Sequence, residues 1–179
     1  LILAGTVASV LASMLIGAFV VRYREIFFGM LNLAISMVLF TVLGKFYNLT
    51  GGTDGLRISR PEMLGFHLER APFEMFLLVL VLVVSLLVIF GVQRFFESSS
   101  GQALSAIKTN ETRLEYLGVS ARKVLWKGYV LSASLCGLSG SLFGLSQGLV
   151  TPEMGYWLRS GEFVFIAILG GAGHAAGAF

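Results

Sequence analysis

The chain has 179 residues, 56% of them hydrophobic and only 13% charged, with a formal net charge of +3. A soluble domain carries roughly 25% charged residues, and a single core of this length cannot hide so much apolar surface, so a water-soluble globular class is excluded. A nucleic-acid surface is excluded as well, because the basic residues sit in the gaps between apolar runs, and the one cysteine, Cys136, rules out a disulfide within the chain.

Apolar segments near the ~20-residue spanning length recur along the sequence. The first is Leu1–Val21, whose Gly5, Ala8, Ser9, Ala12 and Ser13 are small enough to let helices approach closely in lipid. It lacks a basic front and is followed by Arg22 and Arg24, which is not the pattern of a signal peptide. The second is Ile26–Leu43, with Asn32 and Ser36 one helical turn apart as a polar pair that lines a path or bonds to a neighbouring helix. The stretch Lys45–Pro72 is a polar loop. Its Gly51, Gly52, Asp54 and Gly55 read first as turn chemistry, and second as an outer vestibule or a surface for a binding protein.

The third segment, Phe73–Val92, is dominated by Leu and Val. A polar island follows, "SSSGQALSAIKTNETRLEYLGVS", Ser98–Ser120. Ser100 is placed to cap a helix beginning at Gly101, Thr109 or Asn110 a second helix, and Gly118 to stop it in a left-handed conformation. Ser120 is placed to cap the next span. On a continuous helix Leu104, Ile107, Glu111 and Leu114 share one stripe. The island is therefore expected as two short helices, lying on the membrane surface or docking a soluble partner.

The fourth segment, Val124–Val150, carries two small-residue rows at four-residue spacing: Ala133, Gly137 and Ser141, and Gly140, Gly144 and Gly148. Such rows predict close helix packing on more than one side. After "TPEMGYWLRSGE" comes the fifth, Phe163–Phe179, too glycine-rich for a plain span and read as a broken or re-entrant helix. His174 within it is read as a satisfied buried histidine, Glu162 as interfacial, and Trp126, Tyr156 and Trp157 as span-end aromatics. His67 and His174 lie far apart in sequence, and no Cys/His cluster suits a metal.

Basic residues flanking spans favour the cytoplasmic side. Arg94, Lys108, Arg113, Arg122, Lys123 and Lys127 place the island inside, with Arg22 and Arg24 on the same side, and the Lys45–Pro72 and Thr151–Glu162 loops outside. The fold class expected is an all-α polytopic transmembrane bundle. It is read as one permease domain over residues 1–179, truncated at both ends, with a cytoplasmic loop at 98–123.

Three motifs resemble the LivM-type permease subunits of bacterial branched-chain amino acid ABC importers: "LTGGTDGL" at Leu49–Leu56, "GQALSAIKTNETRLEYLGVSARKVLWKGYVLSA" at Gly101–Ala133, and "SGEFVFIAILGGAGHAAGAF" at Ser160–Phe179. Their order and spacing match together. The chain departs from the family at Arg24–Glu25, where Arg-Gly is usual, and at Asn32, where threonine is common. The resemblance implies a non-enzymatic permease subunit in a bacterial inner membrane, importing branched-chain or related amino acids by alternating access. It implies as partners a homologous second permease subunit, two cytoplasmic ATPase subunits that bind ATP and Mg, an extracytoplasmic solute-binding protein and membrane lipid. Gly101, Leu104, Ile107, Glu111, Leu114 and Gly118 then form the ATPase-coupling segment, with the leucines and isoleucine offered to a groove on the ATPase. This chain has no phosphate-binding loop of its own. The same architecture serves urea and amide importers. The competing class, a secondary transporter or channel without an ATPase, expects ionisable residues inside the spans, and the first three segments have none in their interiors.

Overall fold

The structure is a computed structural model that describes residues 2–46, 51, 54–58 and 70–171. Among the described residues the chain is mostly helical, with one small ribbon. In order come α1 (Ile2–Val20), α2 (Glu25–Lys45), β1 (Leu56–Arg57), α3 (Arg70–Glu97), α4 (Ser99–Thr109), α5 (Glu111–Tyr116), α6 (Ala121–Gln147), β2 (Leu149–Val150), a single 3-10 turn (Pro152–Gly155) and α7 (Trp157–Gly170). Among the described residues four helices are long and apolar enough to cross a membrane: α1, α2 from Ile26, α3 from Pro72, and α6. At 1.5 Å per residue, the 19 residues of α1 reach about 28 Å, close to the ~30 Å hydrocarbon thickness.

Helix α3 outruns its apolar stretch, reaching Glu97 where the sequence pattern stopped at Val92. Apolar character marks only the part that lipid surrounds. Backbone hydrogen bonding carries the helix on through Arg94, which pairs with Glu97 at 3.4 Å on its last turn. Helix α7 likewise starts at Trp157 rather than Phe163, because Arg159 and Glu162 lie one turn apart and pair at 3.1 Å, so neither charge interrupts the helix. It ends at Gly170, and Gly171 takes φ +93°. His174, like His67, Gly52 and most of the Lys45–Pro72 loop, lies outside the described residues.

The chain divides into two compact units, Leu1–Phe28 with Leu86–Ser141, and Gly29–Ser85 with Leu142–Phe179. In the first, α1 packs on α6. A Cβ on Gly5 would collide with the Ser141 hydroxyl, one on Gly137 with the Ser9 side chain, and one on Gly17 would lie 2.7 Å from the Tyr129 ring. Early residues of α1 meet late residues of α6 and the reverse, so the two helices run antiparallel. The Ser9 hydroxyl donates to the Ala133 carbonyl at 2.6 Å, and the Trp126 indole N–H donates to the Met14 carbonyl at 3.3 Å. Trp126, expected as a span-end aromatic, is therefore tied into this seam: a donor beside packed backbone takes the nearest carbonyl. Phe28 sets its ring edge-on to Tyr129, centroids 6.3 Å apart. At the foot of the seam Val20 and Val21 are fully buried.

The second unit contains the ribbon, an antiparallel pairing of Leu56 with Val150 and Arg57 with Leu149. Strands two residues long leave no alternating pattern to read, so an all-helical chain with a polar loop was all that periodicity could predict. Gly55, φ +74°, lies so close to the Val150 carbonyl that a Cβ would approach it to 2.5 Å. The rows of small residues on α6 have separate fates. Ala133, Gly137 and Ser141 face α1. Gly144 is buried, its missing Cβ 3.1 Å from Val150 and 3.4 Å from Ile58. Gly140 meets no described atom within 4 Å. Gly148 takes φ +67° just past the helix end, and its carbonyl accepts the Ile58 N–H at 2.9 Å.

Leucine at position 137 must push α1 off α6, whereas leucine at position 140 meets no described atom close to its Cβ. Gly137→Leu is expected to cost about 1–3 kcal/mol and Gly140→Leu much less, read as the midpoint of thermal unfolding of the detergent-solubilised full-length protein. Equal midpoints for the two variants would remove the seam from the account.

Candidate functional site

The polar island is built as an abrupt corner followed by two helices. Ser98, extended at φ −72° and ψ 160°, is the N-cap of α4: its hydroxyl accepts the Gly101 N–H at 3.3 Å and donates to the Phe95 carbonyl at 2.5 Å. The cap is thus Ser98, not Ser100, and the helix begins at Ser99. Gly101 is buried in the angle between α3 and α4, where a Cβ would collide with the Phe95 carbonyl and lie 2.5 Å from the Phe96 Cα. Only glycine lets the chain turn so sharply at the end of a span.

Asn110 closes α4 and opens α5. Its backbone is extended at φ −162°, its N–H reaches the Ala106 carbonyl at 3.0 Å, and its side-chain oxygen accepts the Arg113 N–H at 3.0 Å. That break removes the continuous stripe expected from spacing: Glu111 does not extend the row of Leu104 and Ile107, because the helix restarts before it. Helix α5 ends in a Schellman motif. Gly118, at φ +80°, donates to Glu115 at 2.9 Å, and Val119 donates to Leu114 at 3.2 Å. Ser120 immediately precedes α6.

Leu104 turns inward: a Cβ on Gly128 of α6 would lie 3.3 Å from both of its methyl carbons. Leu114 is buried at 7% exposure, and Ile107 is half-buried. Burial of a leucine side chain contributes about 1.5–3 kcal/mol, so Leu104 fastens the island to α6. Glu111, in the first turn of α5, forms an ion pair with Arg24 from the turn between α1 and α2. Their side chains keep 38% and 33% of their surface exposed, Arg24 first. A pair this wet is worth about 1 kcal/mol or less, so it orients α5 more than it stabilises it. The contact joins two stretches, the α1–α2 turn and the island, that basic-residue placement assigned to the same side.

The outward face is different. Tyr116 is 87% exposed and Leu117 74%, with Val119 beside them. A shallow groove of about 200 Å³ lies between α4 and α5, lined by Ala106, Thr109, Asn110, Arg113, Leu114 and Leu117. Sequence reasoning missed Tyr116 and Leu117. The available signal was their place at the last turn of α5, directly before the Gly118 stop, where side chains project past the buried face. Nothing in the sequence marked Arg24 as the partner of Glu111.

The other candidates lie in the second unit. Asn32 is exposed and Ser36 half-buried on α2, Gly51 holds φ +70°, and Asp54 is exposed. Among the described residues no cluster of His, Cys, Asp and Glu could hold a metal ion.

Comparison with known proteins follows the same lines. The family model described as the permease component of branched-chain amino acid transport systems matches residues 1–179. The high-affinity branched-chain amino acid transport permease LivM of Escherichia coli K12 is 27% identical over 192 residues, covering 96% of this chain and 45% of LivM. The LivM of Salmonella typhimurium gives the same identity and coverage. The permease BraD of Pseudomonas aeruginosa is 30% identical over 101 residues, 56% of this chain and 33% of BraD. The chain therefore spans less than half the length of these relatives. No solved structure matches it. With its apolar spanning helices and a family match along its whole length, the chain is a multi-pass membrane protein that belongs to the permease-component family of branched-chain amino acid transport systems.

Proposed function

We propose that the chain is part of a permease subunit of an ATP-driven importer of branched-chain or related amino acids in a bacterial inner membrane. It lines half of a pathway with a homologous second permease subunit and receives substrate from an extracytoplasmic binding protein. Two cytoplasmic ATPases, which bind ATP and Mg, drive the switch between inward and outward access. Gly101, Leu104, Ile107, Glu111, Leu114 and Gly118 shape the segment on which an ATPase docks. Asn32, Ser36, Gly51, Gly52 and Asp54 belong to the pathway or its outer vestibule.

The observation that carries this reading is the two-sided construction of the island. Leu104 packs on Gly128 of α6, while Tyr116 and Leu117 stand exposed and Leu117 borders, with the buried Leu114, a shallow groove between α4 and α5. A short helix with a fixed inner face and an apolar outer face suits transmission of motion to a partner that seats an apolar helix face in a groove. The docking contact therefore falls on Tyr116 and Leu117, and the inward leucines support it from behind. An aromatic side chain with an adjacent leucine is the kind of anchor that dominates small interfaces.

Truncating both anchors, Tyr116→Ala with Leu117→Ala, is expected to weaken co-purification of the ATPase with the permease at least tenfold while leaving the amount of permease in the membrane unchanged. Leu104→Ala is expected instead to lower the permease's own unfolding midpoint, by a cost of about 2–5 kcal/mol. Uptake of labelled leucine into membrane vesicles is expected to require ATP and to fall with loss of the ATPase. Uptake that persists without any ATPase would dismiss the reading.

A further inference from the structure

The Arg24–Glu111 pair has an unused half. Arg24 meets Oε1 of Glu111 through Nη2, while its Nη1 is buried and has no hydrogen-bond partner. A guanidinium is a planar fork made for two parallel bonds to one carboxylate. Here one nitrogen meets the carboxylate and the other is buried with no acceptor among the described residues, which leaves one arm of the fork unused. The pair as described uses one arm of the guanidinium. A carboxylate that also met Nη1 with its second oxygen would complete the fork.

The two ends of the pair differ in firmness. Arg24 follows a tight turn in which Val21 donates to Gly17 at 3.0 Å and Tyr23 donates to Val20 at 3.0 Å, directly beyond the fully buried Val20 and Val21. That end is set by the α1–α6 seam. Glu111 opens a helix of 6 residues, too short to hold itself by its own hydrogen bonds. It is joined to α4 through the extended Asn110 and to α6 through Gly118. Arg24 and Glu111 are thus a direct contact between the short helix and the α1–α2 turn.

From these observations we infer that Arg24 is a positioning residue that transmits displacement of α5 to the α1–α2 turn. It does so through an ion pair with two settings, single-bonded as described here and double-bonded when α5 is pressed inward. The inference rests on the reading of the island as the segment an ATPase moves. Charge alone would make Arg24 and lysine equivalent at this position, whereas a two-setting pair needs the fork.

The test uses the complete transporter in membrane vesicles, with labelled leucine as probe, measuring leucine taken up per ATP hydrolysed together with the amount of assembled complex. Arg24→Lys is expected to assemble normally and to lower that ratio about threefold, and Arg24→Glu or Glu111→Arg alone about tenfold, within the range of coupling between contacting groups. The exchanged pair, Arg24→Glu with Glu111→Arg, restores a fork facing a carboxylate and is expected to recover to within about twofold of the unmutated ratio. A lysine variant with the unmutated ratio would overturn the two-setting pair, as would an exchanged pair that assembles fully yet performs no better than the single reversals. Loss of the underlying ATPase reading registers separately, as leucine uptake by the unmutated transporter that needs no ATP.

Discussion

Where Ser9 of α1 and Gly137 of α6 cross, there is no room for a methyl group, and the hydroxyl of Ser9 closes on the Ala133 carbonyl one turn along. Lipid offers no hydrophobic drive for two apolar helices to associate. Close backbone approach and a few hydrogen bonds must do it. Along this seam the contacts recur at turn intervals, from Gly5 with Ser141 to Gly17 with Tyr129, and they end at the buried Val20 and Val21. Two consequences follow for the first unit. The end of α1 becomes a fixed point from which Arg24 projects, and Gly128 of α6 becomes the floor on which Leu104 rests.

The island inherits its geometry from that frame. Its three corners are each made by one residue with one physical property. Gly101 lacks the Cβ that would strike Phe95, Asn110 has a side chain that replaces a lost backbone bond, and Gly118 tolerates positive φ. Between those corners the side chains sort themselves by direction. Leu104 and Leu114 go inward and Glu111 reaches across to Arg24, while Tyr116 and Leu117 are left outside. The leucines supply most of the holding free energy, and the ion pair, half in water, supplies direction.

Much of this was legible from residues alone, for physical reasons. The spans were visible because lipid demands long apolar runs, and the stripe of Ala133, Gly137 and Ser141 because packing in lipid demands small residues at turn spacing. Asn110 and Gly118 were legible because each does something few other residues can. Other features were not legible. The ends of α3 and α7 lie in polar sequence, where hydrogen bonding continues but hydropathy has fallen. The ribbon of Leu56–Arg57 and Leu149–Val150 pairs residues far apart in sequence over too short a length to leave a period. Gly148 fits the spacing of a packing stripe but serves as a turn, since spacing does not reveal where a helix stops. The partner of Glu111 is a contact between distant segments, which no local pattern encodes. That contact adds to the meaning of the residue, from a carboxylate on an apolar stripe to one that orients its own helix.

The central claim is that the outer face of α5 meets an ATPase while its inner face stays bound to the permease. A photo-reactive amino acid placed at position 116 of the intact, purified transporter tests it most directly, with the cross-linked peptides identified by mass spectrometry. The account predicts that the probe at Tyr116 captures a peptide of the ATPase and that the same probe at Leu104 captures a peptide of α6. Capture of lipid alone at position 116, with ATPase present and hydrolysing ATP, would contradict it.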